Sequence, residues 1–178
     1  MTQLALPISP RDFLRQVIPA GMALLPKACD SPAARAMLIA IALQESRLAH
    51  RWQVLQGGGK GPARGLLQFE QGTRASRGGV WGVYLHKTSA SLLAHVCHAR
   101  GVALEPGAIW RALETDDVLA VAVARLLLLT DPYPLPELAD PRGAWNLYMR
   151  TWRPGRPHPS TWDAFHAQAR AAVCEVTA

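Results

Sequence analysis

The chain is poor in cysteine and has no clear metal-ligand pattern. Its three cysteines, Cys29, Cys97 and Cys174, are odd in number and far apart, so they form neither a disulfide framework nor a CxxC pair. This usage fits a protein made in a reducing cytoplasm. His95 and His98 flank Cys97, but positions 95 and 97 do not share a helix face and no second ligand cluster accompanies them. We therefore expect no metal and no other cofactor.

Targeting and membrane-spanning segments are also missing. The N-terminus has no basic stretch followed by an apolar one, so we expect no signal peptide. The longest nearly apolar run, residues 118–129, contains Arg125 and is shorter than the roughly 20 residues that cross a bilayer. The sequence therefore predicts synthesis in the cytoplasm and no insertion into a membrane.

Basic residues are plentiful but form no run and no stripe at helical spacing. The net charge of +6 favours an acidic partner, such as nucleic acid, an anionic membrane or a cell-wall polymer. Because no recognition motif accompanies the charge, we expect no nucleic-acid partner. The alternative explanation is a generally basic, solvated surface.

Length and helix signals define the expected architecture. With 178 residues, 49% of them hydrophobic, the chain suits one domain over residues 1–178. Residues 1–30 are expected to form a helical extension packed on it, and the protein is expected to be a monomer. Helix signals recur and strand signals are rare, so we predict a mainly α fold of roughly six to eight helices with little or no β-sheet.

Several local assignments accompany this fold. Pro19 is expected to kink or end the first helix, and Thr88 or Ser89 to cap a later one. Ser160 with Asp163 forms a capping box for the last helix.

Two stretches are assigned irregular structure. Residues 50–65 contain five glycines and predict a loop of wide backbone freedom. Residues 80–85 predict a short strand or an irregular packed segment.

The stretch SPAARAMLIAIALQESR, from Ser31 to Arg47, carries the most informative carboxylate. Every side chain from position 36 to 43 is apolar, which predicts a helix buried nearly all round. Glu45 lies at its C-terminal end, where desolvation and the helix dipole both raise the pKa of a carboxyl group. A general acid working near neutral pH needs such a pKa. The alternative is that Glu45 is the first solvated residue of a core helix, paired with Arg47 or another neighbour.

Three short motifs follow one another in an order typical of one enzyme family. They are Glu45-Ser46 in IALQESR, the GLLQ segment at residues 65–68, and GAWN at residues 143–146. Together they resemble the signature of lysozyme-like lytic transglycosylases and goose-type lysozymes. The downstream stretch WNLYMRTWRPGRPHPSTW is similar to a version of this domain found in bacteriophage and prophage proteins.

The resemblance implies a lysozyme-like helical domain that cleaves the β-1,4 linkage between N-acetylmuramic acid and N-acetylglucosamine in peptidoglycan glycan strands. Glu45 corresponds to the catalytic acid of the family, and Ser46 is expected to orient it by a hydrogen bond. The candidate substrate-binding residues in and around the motifs are Ser46, Gln68, Glu70, Trp145, Asn146 and Tyr148.

The sequence departs from the family pattern at two places. The residues after the glutamine are FEQ instead of Met-Pro, which makes Glu70 a candidate second carboxylate of the kind most glycosidases use. An exposed loop acid is the alternative. Asp116 and Asp117 are the other candidates, but both are explained as first-turn acids that stabilise the start of a second buried helix. Trp145 stands where the family has a tyrosine whose hydroxyl can contact the catalytic glutamate. Tyr148, one helical turn later, is the candidate replacement, although core packing explains both aromatic residues equally well.

The expected function is peptidoglycan degradation in phage or prophage lysis or in wall penetration. The substrate's own N-acetyl group can replace a second carboxylate, and the product is then either a 1,6-anhydro sugar or the hydrolysed strand. The sequence leaves both open. Action on the wall without a signal peptide implies release by a holin or carriage by a virion. The alternatives are a non-catalytic lysozyme-fold module, either wall-binding or structural in a virion, and, more weakly, a basic helical nucleic-acid binder.

Overall fold

The fold is mainly α, as predicted, and contains a small two-stranded antiparallel sheet. The computed structural model describes residues 3–177. The elements in chain order are α1 (Pro10–Asp12), a π-helical turn (Phe13–Val17), α2 (Ile18–Met22), a 3-10 turn (Lys27–Cys29), α3 (Pro32–Ser46), β1 (Trp52–Val54), β2 (Lys60–Arg64), α4 (Gly79–Leu85), α5 (Lys87–Arg100), α6 (Pro106–Ala112), α7 (Asp117–Leu128), α8 (Pro141–Thr151) and α9 (Pro159–Thr177). Among the described residues, no helix combines the length and hydropathy needed to cross a membrane.

Helix α3 is the buried helix that the sequence predicts. The Ser31 hydroxyl accepts a hydrogen bond from the backbone N–H of Ala34 at 3.1 Å, and proline follows the cap at the first helical position. Ten of its fifteen residues are buried, and it packs mainly against α9. The helix ends at Arg47, whose left-handed backbone (φ 54°) turns the chain away.

Helix α7 is the second core helix, and all twelve of its residues are buried. Asp116 caps it by accepting from the backbone N–H of Leu119 at 2.9 Å. It packs against α2, α4 and α5, so the N-terminal segment is joined to the core through this helix. Arg125, in the middle of α7, donates from Nε to the Cys29 carbonyl at 2.7 Å.

The predicted loop at residues 50–65 is instead a β-hairpin. β1 pairs antiparallel with β2, with Trp52 opposite Arg64 and Val54 opposite Lys60. The prediction missed it because glycine was counted as flexibility. Gly57 and Gly58 instead have φ values of 95° and 87°, and such backbone conformations let the chain turn tightly between two strands.

The segment at residues 80–85 is helical, not a strand or an irregular segment. Val80 and Val83, three residues apart, are fully buried on one face of α4, and this helical spacing was hidden by the short length of the run. The adjoining helix α5 is not capped by a side chain at its start. Ser89, the predicted cap, donates to the Val83 carbonyl at 2.7 Å and so ties α5 to α4.

Two further predictions about helix ends are corrected. Of the two outcomes expected at Pro19, a kink or an end, the structure excludes the end: a π-helical turn precedes Pro19 and α2 runs on to Met22. Proline has no N–H to donate, and the wider turn accommodates this. The last helix begins at Pro159, so Ser160 is its second residue and Asp163 its fifth, and the two do not form the predicted capping box.

Candidate active site

A cleft of about 740 Å³ opens beside the end of α3. Its walls come from five segments that are distant in sequence: the last turn of α3, the hairpin, the GLLQ segment with the loop after it, α7, and the end of α8 with the following loop. The lining residues are Glu45, Gln53, Ala63, Gln68, Phe69, Glu70, Gly72, Ser76, Gly78, Gly79, Leu127, Thr151, Trp152, Arg153, Pro154, Gly155, Arg156 and His158.

Glu45 lies in this cleft with an elevated proton affinity. The pKa of its carboxyl group is raised to about 7: burial is the largest cause, a hydrogen bond from Tyr148 opposes it, and the negative charge of Glu70 adds to the rise. The net result is a carboxyl group that holds its proton up to about neutral pH. The alternative that Glu45 pairs with Arg47 is not realised, because the side-chain partner of Glu45 among the described residues is Tyr148.

Tyr148 is the hydroxyl that contacts Glu45. Its phenol O–H donates to Glu45 Oε1 at 2.7 Å, so the contact proposed from its position one turn after Trp145 is confirmed. The Tyr148 side chain is only 2% exposed, and burial beside Glu45 raises its pKa. Its ring stacks on Trp162, with centroids 5.1 Å apart. The phenol is thus held rigidly as a neutral hydrogen-bond donor.

Ser46 is placed differently from expectation. It makes no hydrogen bond to Glu45, and it is buried behind the cleft with 4% of its surface exposed. Its hydroxyl donates to the Leu66 carbonyl at 2.6 Å and to the Ala42 carbonyl at 3.2 Å. The side chain points away from Glu45 because consecutive helical residues project about 100° apart. Ser46 therefore fixes the GLLQ segment to the end of α3.

The GLLQ segment is a tight turn that is anchored from both sides. Gly65 has a φ of 73°, and a Cβ atom there would lie 2.6 Å from the Leu113 carbonyl oxygen, so no other residue fits without strain. The Trp152 indole N–H donates to the Leu67 carbonyl at 2.9 Å. At the end of the turn Gln68 lines the cleft, and its amide nitrogen donates to the Gly65 carbonyl at 2.8 Å.

Glu70 lies in the same cleft as Glu45. It is exposed, lines the cavity, and is close enough for its charge to raise the pKa of Glu45. Its backbone carbonyl accepts from the Val80 N–H at 3.2 Å, which attaches this segment to α4. The structure therefore brings together the two carboxylates that the sequence singled out.

Trp145 and Asn146 are not brought to the cleft. Trp145 is half-buried and packs against the rings of Tyr148 and Trp162, each with centroids 5.4 Å away. Asn146 is exposed. Helical geometry explains both positions, because Asn146 projects about 200° around α8 from Tyr148. The helix therefore presents Tyr148 to Glu45 and turns the asparagine away.

Sequence reasoning did not find Gln53 as a cleft residue. Gln53 lies on β1 between the exposed Trp52 and Val54, and its amide oxygen is buried without a hydrogen-bond partner in the described part of the chain. Strand alternation would have placed it on the opposite face from its neighbours, but the hairpin itself was not predicted.

The acidic pair at the start of α7 has a structural role, as predicted. Asp116 caps the helix and also accepts from Arg100 Nε at 2.7 Å. Asp117 pairs with Arg51 at 2.6 Å, and both side chains are almost fully buried. Neither aspartate lines the cleft that holds Glu45. Across residues 3–177, no group of three or more histidine, cysteine or acidic side chains is arranged to hold a metal ion.

Comparisons of the chain with protein-family models, with curated proteins and with solved structures find no match.

Proposed function

We propose that this protein cleaves the glycan strands of peptidoglycan, with a lysozyme-like helical fold and Glu45 as the general acid. The observation that carries the proposal is the state of Glu45: it ends a buried helix, lines a cleft of about 740 Å³ and has its pKa raised to about 7. Such a carboxyl group is suited to protonating the oxygen of a glycosidic bond.

In the proposed reaction, Glu45 donates its proton to the bridging oxygen while the bond from that oxygen to the anomeric carbon breaks. The carboxylate that forms is stabilised by the hydrogen bond from Tyr148, because this contact strengthens as negative charge develops on Glu45. Glu70, in the same cleft, supplies negative charge next to the positive anomeric centre.

The group that attacks the anomeric carbon determines the product. Glu70 acting as a base on water gives hydrolysis, in line with the second carboxylate that most glycosidases use. Attack by the N-acetyl group of the substrate, followed by the 6-hydroxyl, gives a 1,6-anhydro sugar, with Glu45 receiving the hydroxyl proton. The similarity of residues 145–162 to phage and prophage proteins supports a role in lysis or wall penetration, with release by a holin or carriage by a virion.

The experiment compares the wild-type protein with Glu45→Gln on purified peptidoglycan, with the released products identified by mass spectrometry. Glutamine keeps the shape of the side chain and removes the proton donor, so release should fall by about 10²–10⁴-fold. The matched control is Glu137→Gln, because Glu137 is exposed and does not line the cleft.

Each outcome has a distinct meaning. Loss of release in Glu45→Gln alone supports the proposal, and the presence or absence of the anhydro mass identifies the acceptor. Release that is equal in all three proteins would assign the acid elsewhere. Binding of peptidoglycan by the wild-type protein without any release would leave a wall-binding module and rule out the enzyme.

A further inference from the structure

The loop after α8 brings positive charge to the cleft without a matching carboxylate. Arg153 and Arg156 both line the cavity. The seven ion pairs within residues 3–177 use other cations, so these two side chains have no acidic partner there. An uncompensated cationic wall in a cleft attracts anionic groups on a ligand.

Arg153 is held in place by neutral acceptors. Its Nε donates to the Arg150 carbonyl at 3.2 Å, and its Nη1 donates to the Ser76 carbonyl at 3.1 Å. The guanidinium group therefore joins the end of α8 to the loop that precedes α4. Its second terminal nitrogen, Nη2, makes no hydrogen bond within the described chain. Its charge is fixed in position yet remains available, which lowers the entropic cost of binding an anion.

Arg156 lines the same cleft from the loop that follows α8. It is exposed and lies between Gly155 and Pro157, with Pro154 also in the loop. The proline rings restrict the backbone and keep Arg156 near the cleft. Because its side chain makes no hydrogen bond within residues 3–177, all five of its N–H donors are free to bind a ligand.

We propose that Arg153 and Arg156 form a subsite for a carboxylate group of the glycan strand. This inference rests on the proposed function and specifies the substrate class: strands that carry free carboxylates, not neutral amino-sugar chains. Arginine suits this role because its planar guanidinium group binds a carboxylate through two hydrogen bonds. The negative charge of Glu70, which lines the same cleft, repels a carboxylate, whereas the protonated Glu45 does not. The charges therefore also orient the strand, with its neutral acetal bond at Glu45.

The carboxylate has two possible sources, the peptide stems or the lactyl group of muramic acid. Three fluorescently labelled strands distinguish them: intact strands with stems, strands freed of stems by an amidase so that the lactyl carboxylate is exposed, and strands whose carboxylates are converted to methylamides. Binding is measured by anisotropy on the inactive Glu45→Gln protein, and cleavage on the protein with a native Glu45.

The variants are Arg156→Gln and Arg153→Gln, with Arg142→Gln as the matched control because Arg142 is exposed and does not line the cleft. In the Glu45→Gln protein we expect Arg156→Gln to raise the Kd for one carboxylate-bearing strand about tenfold. It should leave the Kd for the methylamide strand unchanged. Binding of the carboxylate strand should also weaken as salt rises, since salt screens exposed charges.

The strand whose affinity depends on Arg156 identifies the source of the carboxylate. Equal affinity for all three strands, or no effect of Arg156→Gln, overturns the subsite, and so does a failure to bind any strand. Arg156 makes no internal hydrogen bond, so this variant keeps the test valid even if Arg153→Gln disturbs the loop. Cleavage of all strands without dependence on Arg156 overturns the subsite alone, whereas Arg156-dependent binding without any cleavage overturns the proposed enzyme alone.

Discussion

The two core helices each carry a carboxylate at one end, in opposite electrostatic settings. Asp117 begins α7, at the positive end of the helix dipole, and pairs with Arg51 at 2.6 Å. Glu45 lies in the last turn of α3, at the negative end, and is bonded by a neutral phenol at 2.7 Å. Both carboxylates lie mostly out of contact with solvent. The difference lies in the partner: Asp117 has a buried cation beside it, whereas at Glu45 burial, the largest cause of the raised pKa, is opposed only by a neutral phenol.

The largest effect on stability is expected from Asp117→Ala. The change leaves Arg51 buried without its partner, which typically costs about 3–5 kcal/mol of the free energy of unfolding. Urea denaturation monitored by circular dichroism measures the loss. The control is Glu175→Ala, which removes an exposed pair with Arg11 and should cost at most about 1 kcal/mol. Equal stability of the two variants would contradict the structural role of Asp117.

Whereas Asp117→Ala should destabilise the protein, Glu45→Gln should make it more stable than the wild-type protein as the pH rises. The folded protein raises the pKa of Glu45 from its ordinary 4.5 to about 7, so the native state binds a proton more tightly than the unfolded state between these values. The stability due to this proton is fully present below pH 4.5 and is lost as pH rises through 7.

The wild-type protein should therefore lose stability relative to Glu45→Gln as pH rises. The expected change is about 2 kcal/mol, because each tenfold change in proton affinity is worth about 1.4 kcal/mol and partial solvent access reduces the full value. Denaturation curves of both proteins at pH 4.5 and pH 8 test this. A constant difference between the two proteins at both pH values would show that Glu45 ionises normally.

Tyr148→Phe removes the hydrogen-bond partner of Glu45 and leaves the burial of Glu45 unchanged. The hydrogen bond from Tyr148 lowers the pKa of Glu45, so its removal raises that pKa. Because the protonated acid is the active form, the pH above which kcat/KM declines should move upward by up to about one unit. Phenylalanine keeps the ring stacked on Trp162 at 5.1 Å, so the fold should persist.

Glu70→Gln is the matched change in the other direction. The charge of Glu70 raises the pKa of Glu45, and its removal should move the same pH limit downward, by less than the Tyr148→Phe shift. If the pH above which kcat/KM declines shifts in the same direction in both variants, that pH is not set by the ionisation of Glu45.

The local signals of the sequence predicted most of what surrounds Glu45. The apolar run at residues 36–43 and the polar residues that follow it placed this carboxylate at the end of a buried helix. The same logic predicted α7 and its acidic start. These features are readable because capping and helical periodicity act over a few residues. The hairpin at residues 52–64 was missed because tight glycine turns and flexible loops have the same composition.

Long-range packing determines which side chains meet at the site. Tyr148 reaches Glu45 across 103 positions of sequence, Ser46 turns to the GLLQ segment instead, and Asn146 faces away from the cleft. Short-range backbone preferences along the chain specify the mainly α fold class, the two core helices and the position of Glu45 at the end of one of them. The partner of that carboxylate, and the cleft it shares with Glu70, depend on how α3, α8 and the hairpin pack, which no local pattern encodes.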